Sequence, residues 1–510
     1  MTKFQYRSIF HNLVPVRGFH GIEADVWGPF IWAKKRFAVH KDSAEANYVA
    51  RLCFNGDEAV LNVKVNGSAR KPISIRRGWN NYPLDFSDVC AADIEFEVSQ
   101  VPHVPGDSRE LGIMIRSIRE LENLQTLKGI ENTLRNKFLN DQEFAEGRIV
   151  LQSLPQQLRI AFEARCNVKP HCVYCDWERS KFEETASTFR LSREKLVEMG
   201  AFFSLAERVG ECSCGEPMLN RNLTEVVSHL HGCGKPLSVA TNGQLLNSQN
   251  RSALLGKDVE LYVSLDSATP QGYARYTNNK FDLVVDNVRA LCGARPLGTL
   301  PNVIAAFISM KSNLAEFPVF IDLMKEVGID GVRVTCLNTY PNLMTRVVQR
   351  GGFEFRYGEE SMSPEEFNLF LKSARKDAAE RSMPLLSYSD FMAEDAHVNG
   401  PLCNEPWKTI NAATRGLVMC VFNHSGIVAR WSEQGRRSTE QFLFDVWNGE
   451  VYREIRSELA QGRFAKQCVA SCPIARRSSS SVLAHTSSYL GTDGNHGSSP
   501  RVVGALLAPK

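Results

Sequence analysis

The stretch Leu158-Arg-Ile160-Ala-Phe162-Glu-Ala-Arg-Cys166-Asn-Val-Lys-Pro170-His171-Cys172-Val-Tyr174-Cys175 decides how this chain is read. Leu158, Ile160 and Phe162 alternate with their neighbours, which predicts a strand. Three cysteines follow its end, at 166, 172 and 175. Thiolates select zinc, copper(I) or iron–sulfur clusters, and a structural zinc site takes four protein ligands. A four-iron cluster held by three thiolates leaves one iron open to a cofactor or substrate. The chain has 14 Cys in 510 residues, and a fixed three-Cys pattern then arises by chance about 0.01 times.

Composition narrows the rest. A chain of 510 residues has length for two to four domains. Hydrophobic content of 43% and charged content of 23% are ordinary for a globular protein. A net charge of +3 makes no case for nucleic-acid binding. No run of 18 or more apolar residues is present, so no membrane span is expected. The N-terminus, Met1-Thr-Lys-Phe-Gln-Tyr-Arg7, lacks a signal-peptide apolar core. The expected compartment is therefore the reducing cytoplasm, where clustered Cys are metal ligands more often than disulfides.

Upstream of the cysteines, residues 18–118 read as all-β. Leu61-Asn-Val63-Lys-Val65 alternates and runs into a tight-turn pair, Asn66-Gly67. Ile73-Ser-Ile75, Ile94-Glu-Phe96-Glu-Val98 and Leu111-Gly-Ile113-Met-Ile115 continue the pattern. Short strands between turn signals predict a sandwich or jelly roll. Asp107-Ser-Arg109-Glu-Leu111-Gly112 resembles a stretch before the final strand of β-sandwich modules attached to bacterial surface-polysaccharide enzymes. Its plainer reading is an Asp107–Arg109 ion pair closing a turn. The organisation expected is a β-sandwich accessory module (1–120), a polar helical linker (121–155), a central domain (156–345), a C-terminal extension (346–475) and a Ser/Gly-rich disordered tail (476–510).

Downstream, strands alternate with helices. Strands are expected at 158–162, just before 210, at 237–240, 259–263, 303–308 and 332–334, with helices beginning at Ser192, Thr224, Phe281 and Leu314. Six βα units predict an α/β fold, a parallel sheet with right-handed crossovers curled into a partial (β/α)6 TIM-like barrel. The polar motifs fall just after strand ends. They are the Cys triplet, Cys214-Gly215-Glu216-Pro217, Thr241-Asn242-Gly243 and Ser264-Leu-Asp266. Ends of parallel strands share one rim, where sites are built.

On these motifs the segment from about 156 to 340 resembles the radical S-adenosylmethionine (SAM) superfamily core. The resemblance implies a [4Fe–4S] cluster on Cys166, Cys172 and Cys175, with SAM chelating the fourth iron. Tyr174 matches the aromatic that packs beside adenine. Gly215, Glu216 and Pro217 match the family's Gly-Gly-Glu-Pro stretch, which binds the methionyl amine, with Cys214 replacing its first Gly. Thr241, Asn242, Ser264 and Asp266 match by position the contacts to ribose and carboxylate. One departure stands out: the family spacing is C-x3-C-x2-C, and here it is C-x5-C-x2-C. A loop absorbs two residues cheaply. Of the added positions, His171 is a ligand in principle, and its plainer reading is a solvated loop residue.

A second cysteine group, Cys403, Cys420, Cys468 and Cys472, resembles the SPASM/twitch extension that binds auxiliary iron–sulfur clusters. Four thiolates serve one second [4Fe–4S] cluster; they also make a structural zinc site. Cys214 and Cys336 are candidate hydrogen donors to a substrate radical. Cys212, Cys233 and Cys292 read as small buried hydrophobes, and Cys53 and Cys90 as structural. The resemblance implies reductive cleavage of SAM to a 5′-deoxyadenosyl radical, hydrogen abstraction from a substrate, and an external electron donor such as flavodoxin or ferredoxin. The N-terminal module points to a small-molecule or glycan substrate, a saccharide or saccharide-linked molecule, dehydrogenated or epimerised. The alternatives are a peptide-modifying SPASM maturase, whose usual N-terminal peptide-recognition domain is winged-helix-like, and a non-catalytic zinc-binding protein.

Overall fold

Alternating apolar residues build the N-terminal half. Seven strands form one antiparallel sheet: β1 (Leu13–Asp25), β2 (Gly28–Lys41), β3 (Asn47–Val65), β4 (Ser68–Ala69), β5 (Ile73–Leu84), β6 (Ala92–Val98) and β7 (Ile113–Leu121). The computed structural model describes residues 9–10, 13–25, 28–41, 47–102, 107–121, 124–175, 190–212, 215–295, 300–338, 343–387, 401–420, 423, 426–469 and 472. Along β3 Leu61, Val63 and Val65 are buried while Asn62 and Lys64 are exposed, so a single register is favoured. Asn66 and Gly67 both take positive φ, 49° and 81°, the geometry of a type I′ hairpin turn. The sequence predicted short strands, whereas β3 runs for 19 residues. Its first half pairs with β7 and its second with β6, and β2 divides the same way. The order β2–β6–β3–β7 therefore closes on itself. An irregularity between Cys53 and Glu58 lets β3 turn the corner. Asp107 and Arg109 form the ion pair expected at the turn, at 2.6 Å.

A 22-residue helix, α1 (Leu124–Ala145), follows. It is a packed element as well as a connection. Buried Asn140 donates to Ser153 Oγ and to the Trp407 carbonyl, both at 2.8 Å, and accepts from Gln156 Nε2 at 2.9 Å.

The second sheet carries the α/β half. Its strands β8 (Gln157–Ile160), β9 (Arg208–Glu211), β10 (Leu237–Thr241), β11 (Val259–Ser264), β12 (Asn302–Ser309) and β13 (Gly331–Cys336) are all parallel. Crossovers include α2 (Leu223–Gly232), α3 (Phe281–Gly293) and α4 (Phe317–Val327). Gly328 ends α4 in the left-handed conformation, φ 86°, as a helix stop requires. Beyond β13 come the hairpin β14 (Val347–Arg350) and β15 (Phe353–Arg356), the helix α5 (Pro364–Glu380), then β16 (Leu385–Ser387), β17 (Thr409–Ala412), β18 (Gly416–Val418) and β19 (Ile427–Arg430). A Ser363–Glu366 capping box opens α5.

The sheet order is β16-β13-β12-β11-β10-β9-β8-β17-β18-β19. It holds eight parallel strands where the periodicity showed six, because β16 and β17 flank the six-strand run in parallel. Strands of three and four residues are too short to display a period. The C-terminal segment thus shares the sheet and the core of the central one: Trp407, Ile410, Trp447 and Tyr452 belong to the same apolar cluster as Leu158 and Val209. Among the described residues no helix is long and apolar enough to cross a membrane. The expected tail, 476–510, lies outside the described residues.

Candidate functional site

Strand β8 ends at Ile160 and delivers the chain to the cysteine loop. Glu163, fully buried, fixes the entry by accepting from the backbone N–H groups of Ala164 and Arg165, at 3.0 and 3.2 Å. It also pairs with the guanidinium groups of Arg165 and Arg190, at 3.1 and 3.0 Å. A buried carboxylate needs such partners. The loop itself is held at each cysteine. Asn242 Nδ2 lies 4.0 Å from Cys166 Sγ as donor. The Cys172 thiol donates to Thr277 Oγ1 at 3.3 Å. Cys175 N–H closes a turn onto the Cys172 carbonyl at 3.0 Å, and Arg346 donates to the Cys175 carbonyl at 2.9 Å.

The extra residues of the first spacing fold inward. Val168 is buried. His171, expected in solvent, is only 7% exposed; its Nε2 lies 3.2 Å from Lys169 Nζ. The physical reason is the β14–β15 hairpin, whose Arg350 donates to the His171 carbonyl at 2.6 Å and covers the loop. Val173 and Tyr174 pack into a small apolar cluster with Tyr276, Phe355 and Tyr357.

The ends of β9 and β10 close the second side. Gly215 lets the chain pass against the entry segment, and Glu216 N–H donates to the Arg165 carbonyl at 2.7 Å. Pro217 begins a 3-10 turn whose cap is Glu216. The Glu216 carboxylate, 2% exposed, accepts from Thr241 Oγ1 at 2.7 Å, Asn242 N–H at 2.8 Å and Met218 N–H at 3.0 Å. Burial raises its pKa, and these donors hold the rise back. Asn242 also donates to Asn167 at 2.8 Å, and Asn279 donates to the Asn242 carbonyl at 2.7 Å.

Beyond β11, Asp266 is fully buried; burial pushes its carboxyl up to about 6. It accepts from the Tyr174 hydroxyl and from Ile308 N–H at 2.8 Å, and Asn313 Nδ2 donates to its carbonyl at 2.9 Å. Ser264 contributes its carbonyl, which accepts from Tyr273 at 3.3 Å. Burial lifts the Cys166 thiol to about 11, with Glu216 and Cys172 adding to the rise, and lifts Cys172 with Asp266 adding. Asn242 donates toward Cys166 Sγ and to the Glu216 carboxylate, and Tyr174, next to Cys175, donates to Asp266. Ligation to metal draws off thiol protons.

The sequence motifs therefore meet at one rim. Glu163, Thr277, Asn279 and Asn313 join the site without standing out in the sequence. The polar run Thr277-Asn-Asn279 was a visible signal, while Glu163 and Asn313 are legible only once the strand ends converge. Cys336 ends β13 in register with Ser309. Cys214 lies outside the described residues.

Of the second cysteine group, Cys420 is buried and Cys403, Cys468 and Cys472 are half-buried. Cys403 feels Cys472 and Cys420, and Cys468 feels Cys472; burial raises the Cys403 and Cys468 thiols, the latter to about 12. Cys212 is buried, and its electrostatic neighbours are Arg159, Glu405 and Cys420. Among the described residues no set of three or more His, Cys, Asp or Glu side chains is placed to hold a single metal ion.

No family model matches the chain. In sequence it is similar to the probable GTP 3′,8-cyclase of Saccharolobus solfataricus, 27% identical over 186 residues, 35% of this chain and 56% of that protein. The chain spans about half the length of the curated relatives it matches. In structure it is similar to Streptococcus suis SuiB bound to the precursor peptide SuiA, with TM-score 0.45 and 13% identity over 70% of this chain and 76% of that one. It is also similar to a radical SAM methyltransferase from Sphaerobacter thermophilus, with TM-score 0.33 and 17% identity over 45% of this chain and 64% of that one. Two of the similar solved structures hold S-adenosylmethionine.

Proposed function

We propose that this chain is a radical SAM enzyme whose cluster is held by Cys166, Cys172 and Cys175, with Glu216, Asn242 and Asp266 lining the SAM side. The supporting observation is the convergence of the triad loop with two buried carboxylates at the ends of β9 and β11. The donor set fits the group: soft thiols with amide and hydroxyl neighbours, on a covered loop. The chemistry such a cluster and SAM supply is reductive cleavage to a 5′-deoxyadenosyl radical that removes a hydrogen atom from substrate.

The residues of the chain do the rest. Glu216, its geometry set by Thr241 and Asn242, presents a carboxylate to an ammonium group. Tyr174, tied to Asp266, offers its ring face to a base. The β14–β15 hairpin and the apolar cluster beneath it exclude water from the loop. Gly215 and Pro217 set the position of Glu216, and Ser264 the strand end beside it. Cys214 and Cys336 stay as candidate hydrogen donors. Cys403, Cys420, Cys468 and Cys472 hold an auxiliary [4Fe–4S] cluster, and the parallel strands curve as a partial barrel. The electron comes from a small reductant such as flavodoxin or ferredoxin in the cytoplasm.

For substrate we favour a saccharide or saccharide-linked molecule, on the strength of the closed β-module in residues 13–121. A peptide substrate is the second reading: Streptococcus suis SuiB, similar in fold, binds a precursor peptide. Anaerobically reconstituted full-length chain should bind about eight irons and form 5′-deoxyadenosine from SAM with dithionite. The C166A/C172A/C175A variant should lose that product and half the iron. Zinc in place of iron, or product formation by the variant, overturns the assignment. Hydrogen exchange into oligosaccharides against peptides separates the substrates.

A further inference from the structure

The parallel sheet has one apolar face and one polar face. On β10, β12 and β13, Val239, Phe307 and Val334 belong to the main apolar cluster, with the helix residues Val226, Val284 and Phe320. The residues that alternate with them, Ser238 and Ala240, Ala306 and Ile308, Arg333 and Thr335, are half-buried. Successive side chains of a strand point to opposite faces, so these six share the other face. Central parallel strands are normally covered on both faces. Here the second face is partly open.

Three guanidinium groups stand on the open face. Arg159, between Leu158 and Ile160, pairs with Glu405 at 2.8 Å. Arg208, beside Val209, pairs with Glu260 of β11. Arg333 has no such carboxylate. Its guanidinium carbon lies 3.9 Å from the ring centre of Tyr262, and among the described residues it makes no ion pair and no hydrogen bond. The ring holds the guanidinium by its face and takes up none of its N–H groups. Its Nε is shut in, whereas the two Nη groups are not. A positioned fork of N–H groups without a counter-charge suits a carboxylate or a phosphate.

Arg333 also stands at a useful depth. It is in register with Ala306, and Ala306 with Ser264 at the end of β11. Asp266 follows two residues on, so at about 3.3 Å per residue Arg333 lies about 7 Å below the level of Asp266. We propose that Arg333 anchors an anionic group of the substrate, phosphate or carboxylate, beneath the SAM rim. Within the saccharide reading, it selects a phosphorylated or acidic sugar over a neutral one. The inference rests on the proposed function for the chemistry above Arg333; the anion site itself needs neither iron nor SAM.

The test is arginine labelling by phenylglyoxal, mapped by mass spectrometry on the full-length chain before iron is added. Arg333 should react. Inorganic phosphate or acetate should slow its labelling about threefold or more relative to sodium chloride at equal ionic strength, and the better protector names the anion. Glucose 1-phosphate or glucuronate should protect it likewise, and glucose should not. Arg208, already paired, should not be slowed. An unreactive Arg333, equal labelling in chloride, phosphate and acetate, or equal slowing at Arg208 overturns the anchor. So does protection of Arg333 by SAM in the iron-loaded chain, which would assign it to the cofactor. Because the labelling of the iron-free chain involves no cluster, its outcome is independent of the iron and 5′-deoxyadenosine measurements that test the proposed function.

Discussion

The backbone at Gly215 passes so close to Glu163 that a Cβ there would lie 2.0 Å from the Glu163 carbonyl oxygen. This contact ties the start of the Glu216 turn to the entry of the cysteine loop. Gly215→Ala must push the two apart. Overpacking of this kind costs about 1–3 kcal/mol, and the larger effect should fall on the site. We expect a lower thermal midpoint and incomplete iron loading at the triad, measured by calorimetry and iron analysis. Full loading with an unchanged midpoint would count against the contact.

The two cysteine groups should separate in iron analysis. Cys403→Ala with Cys420→Ala removes two of the proposed ligands, both from the C-terminal set. Such a variant should keep about four irons per chain and still form 5′-deoxyadenosine, with turnover of substrate reduced. Loss of all iron would mean that the groups are not independent.

Asn140 joins α1 to the strand entry and to the C-terminal segment through three hydrogen bonds. Asn140→Ala removes all three; Ser153 and Gln156 keep Glu143 and Asp141 as partners, while the Trp407 carbonyl loses its donor. Three buried hydrogen bonds at about 1 kcal/mol each come to about 3 kcal/mol. Urea unfolding followed by Trp fluorescence should show that loss; a change below about 0.5 kcal/mol, the usual surface effect, would refute the role.

Lys235 carries a pH signature. Burial lowers its pKa from 10.5 to about 8. Between these values the unfolded chain binds the extra proton and the folded chain does not, so stability rises with pH in that window. The slope is about 1.4 kcal/mol per pH unit. Lys235→Met also strands two carbonyls, a cost that does not vary with pH. The stability of the wild type relative to this variant should therefore climb between pH 8 and 10. A flat difference would place Lys235 in contact with water.

The sequence carried the site further than the fold. Cys166, Glu216, Asn242 and Asp266 were legible because each follows a strand signal, and parallel strand ends share a rim. The helix stop at Gly328 and the turn at Asn66-Gly67 were legible because both need backbone conformations few residues adopt. His171 was misread as solvated, because its burial depends on Arg350, 179 residues away. β16 and β17 were missed because their parallel pairing, not their composition, makes them strands.

By itself, then, the sequence determined the alternation of strands and helices, the donor types and their place at strand ends. Those follow from local periodicity and from the chemistry of single side chains. Only the tertiary structure decided that β2 and β3 each serve both halves of a closed sheet and that the C-terminal segment completes the parallel one. Pairings between residues more than a hundred positions apart are set by packing free energy summed over the whole chain, and no short window of sequence contains that sum.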